Sequence, residues 1–224
     1  MGLSAFEIIG PVMVGPSSSH TAGACRIGWA ARHIFGAQPE SVCFHLHGSF
    51  FATGEGHGTR EALVAGILGL SADNDDLPKS FDLAAKQSLQ FEFRQIDLGD
   101  QAHPNSVLIE LQKNEDTQSI LGASVGGGSI IIQKIGPSEV SLRGGLETLL
   151  LWHRDTPGFL ARITAVLSCL EINVASIHTS RKERGEDALT VIEIDGHFPP
   201  ALLELITCIP AVHHHSLLPI LPGF

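Results

Sequence analysis

Apolar residues follow two rhythms along this chain. Ala24, Ile27, Ala31, Ile34 and Phe35 recur every three or four positions, the spacing that lines one face of a helix, and Gly36 supplies a stop. Val42, Phe44 and Leu46 instead alternate with Cys43, His45 and His47, the period-two signature of a half-buried strand. A glycine-rich turn, Gly54-Glu55-Gly56-His57-Gly58, leads into a second predicted helix over 59–70, and a short helix is expected around 81–87. "LQFEFRQIDL" and "SVLIELQK" alternate again, and a third pair of strands brackets "SVGGGS" at 124–129. Together these elements predict an α+β domain over 1–145 with two early helices and a mostly antiparallel sheet. "GPSEVSLRGG" at 136–145 reads as the break that ends it.

Beyond the break the pattern changes. "ETLLLWH" is a strand, and "RDTPG" is a turn whose proline is placed to open a helix. Phe159, Leu160, Ile163, Val166, Leu167 and Leu170 form the apolar face of that helix. "INVASIHTSR" and "DALTVIEID" are strands around a polar turn, "PALLELITCI" is a second helix, and "VHHHSLLPI" is a final strand. The order over 146–224 is βαββαβ, a ferredoxin-like unit.

Composition narrows the function. A length of 224 residues favours two domains, and 43% apolar content supplies their cores. A net charge of −10 excludes nucleic acid as a partner, which demands a basic face. With no secretory signal and no apolar run near the ~20 residues that span a bilayer, a cytoplasmic protein without membrane contact is expected. Cys25, Cys43, Cys169 and Cys208 are far apart in sequence and read as reduced thiols, none spaced as a ligand set. Twelve histidines against fourteen Lys plus Arg turn attention to imidazole chemistry.

Residues 15–23 read "GPSSSHTAG". One hydroxyl suffices to cap a helix, so the surplus calls for more, and a helix N-terminus favours an anion. His57, between Gly56 and Gly58, sits where backbone can adopt unusual dihedrals close to a ligand. His103 and Asn105 flank Pro104 in a loop, as substrate or interface groups. Gly126, Gly127 and Gly128 form either an anion-binding nest or a tight hairpin. His213, His214 and His215 alternate across a strand and cannot converge on one ion. His45 and His47 share a strand face, and the commoner reading of such a pair is that of hydrogen-bonded sheet histidines. "GEGHG" fails the spacing of dinucleotide folds, and none of the lysines lies beside a phosphate-binding loop.

The second unit closely resembles an ACT domain. The match rests on "LLLWHRDTPGFLARITAVLSCLEINVASIHTSR", with Asp155-x-Pro157-Gly158 after the first strand and Ile172-Asn173 entering the second. The resemblance implies self-association and an effector site at Asp155, Pro157, Gly158 and Asn173. "GPSSSHTAG", "GSFFATGEGHGT", "HPNS" and "SVGGGSI", in that order, resemble the β chain of the iron–sulfur L-serine dehydratases. That resemblance implies elimination from L-serine to pyruvate and ammonia. It assigns catalysis to His20 and His57, with His57 favoured as the base. Ser17, Ser18, Ser19, Thr21, Gly56, Thr59, His103, Asn105 and Gly127 would bind substrate. It also implies a [4Fe-4S] cluster held by a separate α chain, with no metal ligands in this one. A related domain senses serine without catalysis in some phosphoglycerate dehydrogenases, and that is the competing expectation.

Overall fold

The computed structural model describes residues 11–223. A widened, π-helical turn at Ser18–Ala22 runs straight into α1 (Gly23–Phe35), which Gly36 closes in the left-handed region at φ 81°. Next come β1 (Ser41–Leu46), the short α2 (Gly48–Ala52), α3 (Thr59–Ile67) and α4 (Ser80–Lys86). Five strands follow: β2 (Gln90–Gln95), β3 (Ser106–Lys113), β4 (Asp116–Gly126), β5 (Ser129–Ile135) and β6 (Ser138–Leu142). They form one sheet with β1, ordered β2-β1-β3-β4-β5-β6. β1 and β2 are parallel, joined by the helices between them, and every other neighbour pair is antiparallel.

The second sheet contains β7 (Glu147–Arg154), β8 (Val174–Arg181), β9 (Asp187–Ile194) and β10 (Val212–Leu218), with helices α5 (Phe159–Cys169) and α6 (Ala201–Thr207). Its order, β10-β7-β9-β8, is antiparallel throughout, as the βαββαβ reading requires.

Three expectations need correction. α3 ends at Ile67 rather than 70, because Gly69 adopts φ 84°. The stretch at 136–145 is not all a break: Gly136 turns the chain, and Val140 and Leu142 point inward from β6. On α5 only Phe159, Ile163 and Leu167 are buried, while Leu160 is 43% exposed.

α1 and α3 cross on one face of the first sheet, over Phe44, Ile109, Ile120 and Ile132. Glycine permits the crossing. A Cβ on Gly28 would lie 2.3 Å from the Leu63 carbonyl oxygen, and one on Gly66 would lie 2.0 Å from that of Cys25. One face of the second sheet joins the same core through Leu150, Leu189, Val191 and Leu218, with Leu221 just beyond β10, while Leu149, Leu151, Ile192 and Ile194 on its other face pack with α5 and α6 in a second core. Buried Arg26 ties the two together. Its guanidinium donates to the carbonyls of Gly128 (2.7 Å), Pro222 (3.1 Å) and Gly223 (2.8 Å). Among the described residues no helix is long and apolar enough to cross a membrane.

Candidate active site

The first turn of the helix that becomes α1 is capped by Ser17, whose hydroxyl accepts the His20 backbone N–H at 3.2 Å. π-helical turns are rare and concentrate at functional sites; this one turns His20 inward, to 9% exposure. Three hydroxyls surround its ring. Ser19 Oγ is 3.1 Å from Nδ1, and Ser49 Oγ and Thr53 Oγ1 are 3.0 and 3.2 Å from Nε2. The Thr53 hydroxyl donates its proton to the Ser49 carbonyl at 2.9 Å. Its oxygen still contacts His20 Nε2, so both ring nitrogens of His20 are engaged by hydroxyls. Burial, then the neighbouring His57, push the His20 pKa below its usual value, so the ring is neutral near pH 7.

His57 lies alongside, its ring centroid 4.9 Å from that of His20. Its Nδ1 is 2.9 Å from the Thr53 carbonyl, which can only accept, so Nδ1 carries the proton and Nε2 holds a lone pair. Among the described residues that Nε2 has no hydrogen-bond partner, and the side chain is half-exposed. Buried Thr21 donates to the His57 carbonyl at 2.9 Å, which fixes the turn from below. The two histidines thus differ. Both nitrogens of His20 are engaged inside the protein, whereas His57 presents a basic nitrogen outward.

The remaining predicted residues gather around this pair to different degrees. Ser17, Ser18 and Ser19 are half-buried at the opening turn, with Ser17 and Ser19 hydroxyls 3.4 Å apart. Gly56 is exposed in the turn beside His57. Thr59 is a correction: it is fully buried under that turn, 3.2 Å from where a Gly54 Cβ would stand, and reaches no open space. The His103–Asn105 loop packs on α2, where Phe50 N–H donates to the Pro104 carbonyl at 3.3 Å. The Asn105 carbonyl accepts from Ser124 N–H at 2.9 Å, and the Ser124 side chain packs against Gly23 at the start of α1. Gly126, Gly127 and Gly128 take φ of 115°, 58° and 79° in the β4–β5 hairpin, with the Gly128 carbonyl turned to Arg26. Sequence reasoning overlooked Ser49 and Thr53. The signal was there, a pair of hydroxyls at i and i+4 in "GSFFATGEGHGT", but it needed α2 to become visible.

In the second unit Asp155 accepts from Gly185 N–H at 3.0 Å and pairs with Arg181. Gly158, at φ 81°, has open space around it, and Pro157 is exposed nearby. Asn173 is elsewhere. β7 and β8 both run antiparallel to β9, so Asp155 follows the end of β7 while Asn173 precedes the start of β8, at the opposite end of the sheet. Asn173 there hydrogen-bonds Asp195 at 2.5 Å. One small ligand on one protomer cannot touch both.

The cysteines do not suit an iron–sulfur cluster. Cys25 is buried, donates to the Leu70 carbonyl at 3.3 Å, and has its pKa pushed up to about 12 by burial. Cys43 sits on β1, while Cys169 and Cys208 are exposed in the second unit. Among the described residues no three thiols converge, as a [4Fe-4S] centre needs.

Fold and site together define an α+β domain with a hydroxyl-ringed histidine pair, joined to an ACT domain. The serine dehydratase beta chain family model matches residues 4–134, and the ACT domain model matches 148–207. The L-serine dehydratase beta chain of Peptoniphilus asaccharolyticus is 42% identical over 193 residues, covering 86% of this chain and 87% of that one. The probable L-serine dehydratase beta chain of Bacillus subtilis (strain 168) is 37% identical over 209 residues, 93% and 94% of the two chains. The D-3-phosphoglycerate dehydrogenase of Methanocaldococcus jannaschii is 27% identical over 113 residues, 50% of this chain and 21% of the enzyme. The chain belongs to the serine dehydratase beta chain family.

Proposed function

We propose that the chain is the β subunit of an L-serine ammonia-lyase, which converts L-serine to pyruvate and ammonia, and that a separate α chain bearing a [4Fe-4S] cluster completes its site. The observation that carries this reading is the hydrogen bond from His57 Nδ1 to the Thr53 carbonyl, which leaves Nε2 as an outward-facing base. The hydroxyls of Ser17, Ser18 and Ser19, at the cap and first residues of the π-helical turn that leads into α1, receive the substrate carboxylate. His57 Nε2 takes the α-proton, and a positioned base of this kind contributes about 10²–10⁴-fold to rate. His20, neutral and hydrogen-bonded at both nitrogens, holds Ser19, Ser49 and Thr53 in place. A cluster on the α chain would supply a Lewis acid for the β-hydroxyl, so this chain alone is expected to bind serine without turning it over. The ACT domain associates with a second copy and binds a small effector near Asp155 and Gly158.

The test is anaerobic serine-to-pyruvate turnover by the chain alone and co-expressed with cluster-bearing α chains. Activity only in the mixture, reduced about 10²–10⁴-fold by His57→Ala, supports the shared site. Serine binding without turnover in every mixture would make the domain a sensor, the alternative favoured by the partial match to the phosphoglycerate dehydrogenase.

A further inference from the structure

A second group of reactive side chains lies on the other face of the first sheet. β1 alternates, so Ser41, Cys43 and His45 point away from the core that holds Val42, Phe44 and Leu46. In the strand register Cys43 stands between Glu110 of β3 and Glu92 of β2. His45 Nε2 is 2.9 Å from a Glu110 carboxylate oxygen, and Glu92 stands opposite Cys43 on the neighbouring strand. The Cys43 sulfur, a His45 ring nitrogen and a Glu110 oxygen all lie within 4.8 Å of one another. Cys43, Glu92 and Glu110 line a cleft of about 1010 Å³ that reaches Trp152 and Asp187 of the second sheet.

We propose that Cys43, His45 and Glu110 bind a divalent transition-metal ion of the zinc class, with the fourth position left to water or to Glu92. Three arguments support the site. Ligand atoms around tetrahedral zinc stand roughly 3.3–3.8 Å apart, as bond lengths of about 2.0–2.3 Å require. The three donor atoms, within 4.8 Å of one another and the His45–Glu110 pair at 2.9 Å, reach that spacing through small side-chain rotations. The donor set, one thiol, one imidazole and one carboxylate, suits zinc, whereas magnesium and calcium take oxygen alone. Charge points the same way. Glu92 and Glu110 face the thiol from both neighbouring strands, and Arg94, 2.6 Å from Glu92, offsets only one of them. A His–Glu ion pair would account for two of these residues but gives no role to a thiol held between two carboxylates. All the donors sit on paired strands, which position ligands better than loops do. The site is distinct from the histidine pair and does not depend on the activity proposed above.

Cobalt(II) is the probe, because a thiolate bound to it gives an intense near-ultraviolet charge-transfer band and tetrahedral ligation gives strong visible bands. Titration of the full chain should give one equivalent of this spectrum, displaced by zinc. Cys43→Ser should abolish the charge-transfer band, while a Cys169→Ser/Cys208→Ser double variant should keep it. Glu110→Gln should weaken zinc binding at least about tenfold, since even partners outside the ligand shell are worth that much. Circular dichroism would check that each variant is folded. An absent band, or one that survives Cys43→Ser in a folded protein, overturns the proposal.

Discussion

Thr53 touches both histidines through different atoms, its hydroxyl against His20 and its carbonyl against His57. Thr53→Val removes the first contact and keeps the second. On the proposed mechanism it should therefore lower kcat while keeping the His57 contact, as steady-state kinetics of the variant beside wild type would show. Thr21→Val strips the His57 carbonyl of its buried donor, a loss of about 1–3 kcal/mol that urea denaturation would detect. Burial depresses the pKa of His20, His33, His103, His153 and His214. An unfolded histidine takes up its proton near pH ~6.5. As the pH falls below that value the unfolded chain binds protons that the folded chain refuses, and stability drops. Urea midpoints should be level above neutrality and decline below pH ~6.5, well before the carboxylates titrate; a level curve down to pH ~5 would contradict the burial of these rings. His20 and His57 were legible in the sequence from their unusual neighbours. Their different surroundings were not, because these depend on which partner each ring nitrogen meets in the fold.

Two glycines hold the halves of the site at their separation. α1 carries His20 at its entrance and α3 follows directly from His57, and the helices touch through Gly28 and Gly66. Gly66→Ala would place a methyl 2.0 Å from the Cys25 carbonyl oxygen and 2.5 Å from Trp29 N, so the helices must part. Overpacking of this kind costs about 1–3 kcal/mol. Because the separation of the two rings would grow as well, kcat should fall more than the thermal shift alone explains, which parallel melting and rate measurements can separate. Period and punctuation revealed most elements, including α1 with its glycine stop, the strand run from β3 to β5 and the whole βαββαβ order. They failed where local composition opposed tertiary use. β6 lies among glycine, proline and serine, and its short inward pair, Val140 and Leu142, gains meaning only from β5 beside it. Likewise Asn173 and Asp155 looked like one motif, and only strand direction separates them.

At the scale of the molecule, one face of the second sheet joins the first sheet's core through Leu150, Leu189, Val191 and Leu218, with Leu221 just beyond β10, while its other face builds a core with α5 and α6. The two sheets should unfold together, giving a single calorimetric transition that every probe follows. Leu221 is 1% exposed and packs where a Gly144 Cβ would be, 2.3 Å from its Cδ1. Leu221→Ala should cost about 2–5 kcal/mol and shift that single transition without splitting it. Two transitions in calorimetry would refute the shared core. The Arg26 clamp has a consequence in time as well. Its acceptors at Pro222 and Gly223 are translated 196 and 197 positions after the arginine itself. On the ribosome, Arg26 therefore gains these two acceptors only after synthesis has reached the far end of the second unit.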